Sequence, residues 1–133
     1  MTESGASVLQ LHAAWTLVAT YAISLLYELW RATAKAGTSR HDSLRVFLTQ
    51  DLVLYVVAAV VIGLLFADAP GAAWVGLVFC VLGILLSILY YNPRIMLERQ
   101  PGLVDWTEDL VYTGLLFVAT TQLVYEVAGR TLA

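Results

Sequence analysis

Charged side chains are scarce in this sequence, and their scarcity excludes several classes of protein. Only 13% of the 133 residues are charged, 60% are apolar, and the formal net charge is −3. A disordered chain needs low hydrophobicity and high net charge, and a nucleic-acid-binding domain needs a basic surface. A soluble domain of this size hides only about two-thirds of its surface, so large apolar patches would face water. We therefore exclude an ordinary cytoplasmic protein and expect no nucleic-acid partner.

Metal-binding and catalytic motifs are also missing. The single cysteine, Cys80, cannot form an internal disulfide, and the two histidines, His12 and His41, are far apart in the sequence, whereas metal sites need clustered ligands. Nucleotide-binding, hydrolase and zinc-protease motifs are absent. We predict no metal, no cofactor and no catalytic residue, with Cys80 as a small packing residue. A role for His12 as a single axial ligand or a quinone hydrogen-bond donor stays open beside its interpretation as an interfacial histidine.

Long apolar runs, by contrast, are abundant. Four stretches lack Asp, Glu, Lys and Arg, at residues 4–27, 52–67, 69–93 and 110–125. A bilayer core takes about 20 helical residues, so each run, extended at its ends where short, can cross a membrane. We predict an all-α, polytopic membrane protein, an antiparallel four-transmembrane-helix bundle in one domain (1–133), with helices at about 6–30, 43–67, 72–91 and 107–128. The alternative is a soluble bundle of buried helices.

The basic residues predict how the chain is threaded. Six of seven lie in the connections after the first and third helices, and only Arg130 lies on the other side. The positive-inside rule then places loops 31–45 and 94–106 in the cytoplasm and both termini outside. We find no secretory signal, so we expect the first helix to be retained. Ala and Arg outnumber Asn and Lys, which favours a prokaryotic protein of the inner (plasma) membrane.

Turn-forming residues predict the helix boundaries. Residues 68–71 contain Pro70 and Gly71 and predict a tight turn between the second and third helices. The Asn92-Pro93 pair predicts the end of the third helix, because the residue before a proline disfavours helical geometry. We expect residues 94–100 to form a short separate surface helix before the turn at Pro101-Gly102.

The two halves of the sequence show a possible internal repeat. Residues 24–27 followed by Arg31 match residues 87–90 followed by Arg94, and residues 49–53 match residues 107–111. Apolar segments match easily by chance, so both duplication and coincidence stay open. If the repeat is real, the hairpins are parallel copies about an axis along the membrane normal.

Small residues indicate where helices pack, because association in lipid depends on close backbone contact. One set lies on the second helix, and another follows one face of the third. We expect both sets to face neighbouring helices within the chain, with contact to another subunit as the alternative. The two sets are Ala59, Gly63 and Ala67, and Ala72, Gly76, Cys80, Gly83 and Ser87.

Polar residues avoid the predicted membrane centre and gather at one end of the bundle. Deep positions carry mainly hydroxyls able to bond back to their own helix, which disfavours an ion-coupled transporter acting alone. The candidate interaction or ligand site is therefore the cytosolic rim, with Arg31–Asp51 and Arg94–Asp109 as expected pairs. Helix dipoles and lipid headgroups would also explain these charges. The candidate residues are Tyr27, Arg31, Asp51, Tyr90, Arg94 and Asp109.

Three functions fit these features. We expect a non-catalytic subunit or assembly partner of a membrane complex, or a homo-oligomer, whose partners are the lipid bilayer and other membrane subunits or further copies. The first alternative is a binder or carrier of an apolar ligand such as lipid or quinone, which a deep cavity between the first and fourth helices would favour. The second is a small enzyme using Asp51 or Asp109 as general base, which two converging carboxylates would favour.

Overall fold

The computed structural model describes residues 6–132 and the side chains up to residue 129, and it contains four long helices. They are α1 (Val8–Thr33), α2 (Leu44–Ala67), α3 (Ala72–Arg99) and α4 (Leu103–Leu132). The described residues contain no strand. This confirms the predicted all-α four-helix architecture. The side chain of Arg130 and the terminal residues, on which the expected placement of the termini depends, lie outside the described part.

Side-chain hydrogen bonds show that neighbouring helices run antiparallel. Early residues of α1 bond to late residues of α4, and late residues of α1 bond to early residues of α2, as sequential hairpins require. α1 packs most extensively against α4, and α3 against α4 comes next. The bonds are Thr16–Gln122 at 3.1 Å, Tyr21–Tyr112 at 3.0 Å, Ser24–Tyr55 at 2.8 Å and Ser87–Thr113 at 3.1 Å.

The core is built from leucines and small residues in close contact. Leu17, Leu65 and Leu123 are fully buried, and Gly76 of α3 lies against two of them. A Cβ atom on Gly76 would stand 3.1 Å from Leu123 Cδ1 and 3.2 Å from both Leu65 methyl groups. The backbone of α3 therefore approaches α2 and α4 as closely as it does only because this position is glycine.

The two small-residue sets face different directions. The set on α3 packs inward as predicted, and Cys80 is fully buried there. The set on α2 does not: Ala59, Gly63 and Ala67 are exposed, and a Cβ atom on Gly63 would meet nothing within 4 Å. The expectation that the α2 set packs inside the bundle is wrong, because the face carrying Tyr55, Ala58, Val61 and Leu65 faces the core instead.

The turn between α2 and α3 occurs where the sequence predicts it. Asp68 adopts a left-handed conformation with φ of 51°, and its N–H donates to the Leu65 carbonyl. The next N–H, of Ala69, reaches back to the Leu64 carbonyl at 3.1 Å. This pattern is a Schellman motif, with aspartate where glycine is commonest. Gly71, with φ of 76°, then starts α3.

The third helix continues through Asn92-Pro93, so the predicted stop there is wrong. From Ser87 to Met96 the helix has π geometry, in which backbone hydrogen bonds span five residues. The N–H of Leu97, which follows the proline, donates to the carbonyl of Asn92, which precedes it. The wider turn accommodates a residue that lacks an N–H, and burial of Met96 holds this segment against the bundle. Residues 94–99 are thus the end of α3 and not a separate surface helix.

Deep hydroxyl groups bond to their own helices, as predicted. Each threonine donates to the carbonyl four residues earlier, at 2.7–2.9 Å. A polar group satisfied in this way costs little in an apolar environment. The four bonds are Thr16 to His12, Thr20 to Thr16, Thr120 to Leu116 and Thr121 to Phe117.

The outer surface of the bundle is covered by large apolar side chains. All four helices are long and apolar enough to cross a membrane. Leu26, Leu89 and Leu110 are each at least 67% exposed. A soluble domain seldom exposes a continuous apolar surface of this extent, and a bilayer would cover it. The four helices therefore favour a multi-pass membrane protein.

Candidate functional site

Two buried arginines lie at one end of the bundle, which we call the charged end. This end comprises the end of α1, the 34–43 loop, the start of α2, the end of α3 and the start of α4. Arg31 and Arg99 are each only 2% exposed. Buried guanidinium groups require compensating charge and hydrogen bonds. Three buried carboxylates supply both, and we call the five residues the arginine network: Glu28, Arg31, Asp42, Arg99 and Asp105.

Arg31, in the last turn of α1, connects the loop to both later helices. Its Nε and one terminal nitrogen donate to the two oxygens of Asp42, with Nε at 2.9 Å. Its other nitrogen lies 3.3 Å from Asp105 Oδ1 of α4. The third partner is the Arg99 carbonyl at the end of α3, which accepts a hydrogen bond from Arg31 at 3.1 Å. One side chain thus holds together the elements that meet at the charged end.

Arg99, at the end of α3, connects this helix to α1 and to the loop. It forms a two-bond pair with Glu28 of α1, at 3.0 and 2.7 Å. Its Nε lies 3.1 Å from Asp42 Oδ1, within ion-pair distance but outside hydrogen-bonding geometry. The same guanidinium donates to the Tyr91 hydroxyl at 2.9 Å and to the His41 carbonyl at 3.4 Å. Asp42 therefore touches both arginines.

Local turn chemistry places the two loop-side carboxylates. Asp42 is fully buried because the loop folds back: Gly37, with φ of 85°, donates its N–H to the Asp42 carbonyl at 2.8 Å. Ser43 then caps α2 by accepting from the Val46 N–H at 3.1 Å. Asp105 lies in the first turn of α4 and accepts from the Gly102 N–H at 2.8 Å, a position where a helix favours a carboxylate.

A cavity of about 370 Å³ lies next to the arginine network, between the charged-end halves of α2 and α3. Its volume is within the usual range of small-molecule sites, about 300–1,000 Å³. The exposed residues of the lining are Gln50 and Leu54 of α2 and Leu86 and Tyr90 of α3, so the mouth opens sideways between these two helices. Ser24 and Glu28 of α1 contribute to the opposite, inner wall.

The lining of the cavity is rich in carboxylates and tyrosines. Asp51 lies near Glu28, and Asp109 lies near Asn92. Arg99 is the one arginine among the lining residues, which include no lysine. The carboxylates are Glu28, Asp51, Glu108 and Asp109, and the tyrosines are Tyr55, Tyr90, Tyr91 and Tyr112.

The six residues predicted from the sequence divide among three places. Asp51, Tyr90 and Asp109 line the cavity. Arg31 belongs to the arginine network, and Tyr27 contacts that network because its hydroxyl donates to Asp105. Arg94 is exposed on α3 and reaches neither group.

The expected pairing of the arginines differs from the structure. Arg31 pairs with Asp42 and Asp105 instead of Asp51. Arg94 forms no ion pair within the described residues, and Asp109 lies near Asn92 instead. The reason is the extension of α3, which brings Arg99 into the bundle while Arg94 stays on the surface.

Sequence reasoning missed the residues at the centre of this end. Asp42 is one of several polar residues in a loop, and its burial depends on a turn that no sequence pattern predicts. Arg99 and Glu108 are rim residues outside the six candidates: Arg99 lies beyond residue 91, where the third helix is predicted to end, and Glu108 lies at the start of the predicted fourth helix. A pattern that could have located Arg99 is Met96 and Arg99 at a three-residue spacing, both buried on one face.

A separate ion pair covers the charged end on its outer side. Arg40 lies 2.8 Å from Glu98, and His41 Nε2 lies 2.8 Å from the same carboxylate oxygen. The Glu98 carboxylate, mainly through its hydrogen bonds, raises the pKa of the Arg40 guanidinium. Exposed pairs of this kind contribute little to stability, so Arg40 and Glu98 serve as useful control positions.

No protein-family model matches this sequence, and no curated protein or solved structure is significantly similar to it. Functional assignment therefore depends on the site itself. Its chemistry combines an apolar mouth toward the outer surface, aromatic walls and a carboxylate-rich inner end. This combination suits a molecule with one apolar part and one polar part.

Proposed function

We propose that this chain is an integral membrane protein that binds an amphiphilic small molecule, taken from the bilayer, in the cavity between α2 and α3. One observation carries the proposal: the cavity opens on the outer surface beside Leu54, Leu86 and Tyr90 and ends at buried polar groups. An amphiphile already oriented by the bilayer could enter sideways with its tail in lipid. Its polar head would then meet the inner wall.

The position of the cavity follows from which helices are joined by packing and hydrogen bonds. The carrier hypothesis pointed to an opening between α1 and α4, but polar contacts join these two helices along their length, including Thr16–Gln122 and Tyr21–Tyr112. α2 and α3 pack least extensively of the four neighbouring pairs. Their turn at residues 68–71 holds them together at the far end only, and the cavity occupies the gap at the charged end.

The proposal is tested by photolabelling the full chain in vesicles of an uncharged galactolipid. Three dodecyl probes share one tail, with a diazirine near the head, and carry a trimethylammonium, maltoside or sulfate head. We expect at least one probe to label the cavity-lining peptides of α2 and α3 more than the outer face of α4 around Phe117, which is 50% exposed. Labelling is read by mass spectrometry as the ratio of the two sites, which corrects for partitioning.

A pair of tryptophan substitutions supplies the matched control. Leu86→Trp narrows the mouth, and a steric cost of ~1–3 kcal/mol lowers the labelling ratio about tenfold. Leu85→Trp adds the same ring to a neighbouring residue that is 47% exposed and does not line the cavity, so the ratio stays unchanged. Equal labelling of both variants, or no preferred labelling by any probe, would contradict the proposal.

A second candidate function is association with another membrane subunit or a second copy of the chain. The outward set Ala59, Gly63 and Ala67 on α2 favours it, because small residues at four-residue spacing let two helices approach closely. Mass measurement in a mild detergent distinguishes a 14.6 kDa monomer from a larger assembly. Ligand binding and association are compatible, since the set lies on the outer surface of α2.

The enzyme hypothesis uses the same cavity. Glu28 and Asp51 converge there, which is the arrangement expected if Asp51 acts as a general base. Glu28, however, is held in a two-bond pair with Arg99, so it is already engaged in structure. A binder releases its ligand unchanged and an enzyme does not, so the mass of the recovered, unphotolysed probe separates the two.

The proposed membrane placement follows the distribution of basic residues. We place the charged end at the cytoplasmic side of a prokaryotic cell membrane and both termini outside, because Lys35 and Arg40 lie in the loop at that end and Arg45 lies in the first turn of α2. The suggested duplication is supported by two hydrogen bonds at aligned positions, Ser24–Tyr55 and Ser87–Thr113.

A further inference from the structure

We infer that the ligand of the cavity carries an alkylammonium head, so that its positive charge lies against the inner wall and its tail runs toward the mouth. This inference rests on the proposed function and names the ligand class for the same site. The observations behind it are the excess of carboxylates over cations in the lining, the pairing of Arg31, Arg40 and Arg99 with other carboxylates, and the aromatic and apolar lining.

The cavity has more negative groups than the protein compensates. Four carboxylates line it, and Arg99 faces them as the one guanidinium. Arg99 already forms hydrogen bonds of 3.0 and 2.7 Å with Glu28 and lies within ion-pair distance of Asp42. Within the described residues, no lysine or arginine forms an ion pair with the other three carboxylates. These are Asp51, Glu108 and Asp109.

Arg31, Arg40 and His41 are engaged by carboxylates outside the cavity, and Lys35, Arg45 and Arg94 do not line it. Arg31 does not line the cavity and is held by Asp42 and Asp105. Arg40 pairs with Glu98 on the outer surface, and His41, which does line the cavity, directs its Nε2 to the same Glu98. A partly buried carboxylate is costly to keep without a compensating charge. A cation that enters with the ligand would supply that charge.

The remaining lining favours an organic cation over a metal ion. Four tyrosine rings line the cavity, and aromatic faces attract ammonium groups and hold quaternary ones well. Leu54, Leu86 and Ile95 provide contact for a tail. The described residues contain no group of three or more side chains arranged to hold a metal ion, and about 370 Å³ far exceeds the space that a bare ion needs.

The inference predicts a ranking of heads on the unmodified chain. With the dodecyl probes described above, trimethylammonium should label the cavity with a ratio about tenfold above maltoside and sulfate. A dodecylphosphocholine probe with the same diazirine distinguishes two sources of the ammonium group. Labelling by phosphocholine indicates a zwitterionic lipid head, and its exclusion indicates a free cationic amphiphile; either result supports the alkylammonium class.

Substitutions that remove charge without changing shape test the cause. The double variant Asp51→Asn, Glu108→Gln should lower the trimethylammonium ratio about tenfold or more while leaving the maltoside ratio unchanged. Glu98→Gln removes a carboxylate of the same end that does not line the cavity, and both ratios should stay at the original level. Thermal unfolding of each variant confirms that the fold is retained.

Three results would overturn the inference. The first is maltoside or sulfate labelling the cavity as well as trimethylammonium does, which leaves the proposed binding function intact but removes the charge preference. The second is an undiminished trimethylammonium ratio in the folded double variant. The third is displacement of the trimethylammonium probe by Mg²⁺ at matched ionic strength, which would identify a metal ion as the occupant.

Discussion

Arg99→Met is expected to lower the free energy of unfolding by about 3–5 kcal/mol. The substitution preserves much of the side-chain length but removes the guanidinium that pairs with Glu28 and stands 3.1 Å from Asp42. Both carboxylates stay buried, and each loses a positive partner. The measurement is reversible unfolding of the full chain in mixed micelles, followed by circular dichroism.

Arg94→Met is the matched control for this prediction. Arg94 lies on the same helix but is exposed and has no ion pair within the described residues, so we expect a change within about 0.5 kcal/mol. Similar losses in the two variants would show that helical arginines stabilise this chain through the bilayer or micelle surface. The arginine network would then have no special structural role.

Gly76→Leu is expected to cost about 2–3 kcal/mol through overpacking. The added Cβ alone would lie 3.1 Å from Leu123 and 3.2 Å from Leu65, both fully buried, and the rest of the side chain has no space to occupy. α3 would have to move away from α2 and α4. The same micelle unfolding assay measures the loss.

Gly63→Leu provides the comparison for Gly76→Leu. The two positions lie in neighbouring helices, but a Cβ atom on Gly63 meets nothing within 4 Å. Glycine is a poor helix former, less favourable than alanine by roughly 0.8–1.0 kcal/mol, and leucine is a much better one, so the stability of the single chain should stay equal or rise. A large loss at Gly63, with little change at Gly76, would show that the assignment of inner and outer faces is wrong.

Much of the fold follows from composition and hydropathy. Four charge-free runs predict four helices, and Pro70 with Gly71 locates the α2–α3 turn, because both signals depend on local chemistry. The end of α3 was predicted too early, since a proline rule that holds for α geometry does not hold in a π segment. The inward face of α2 was also mistaken, because a helix that is apolar on all sides carries no periodic signal to orient it.

The candidate site was predicted only in part. Asp51, Tyr90 and Asp109 line the cavity, and they could be predicted because polar side chains near the ends of apolar runs are visible in the sequence. The central position of Asp42 and Arg99 depends on tertiary contacts: one is carried inward by a loop turn and the other by the extension of α3. Pairing of buried charges is set by which helices meet, and sequence spacing alone does not specify it.

Alkaline carbonate extraction of membranes from cells that produce the full chain tests the central claim most directly, because it separates embedded from surface-bound proteins. In the proposed placement, lipid covers the apolar outer surface and borders the mouth of the cavity. We predict that the chain stays in the membrane pellet after carbonate treatment and is released only by detergent. Recovery in the carbonate supernatant, as a chain that stays soluble without detergent, would contradict the account.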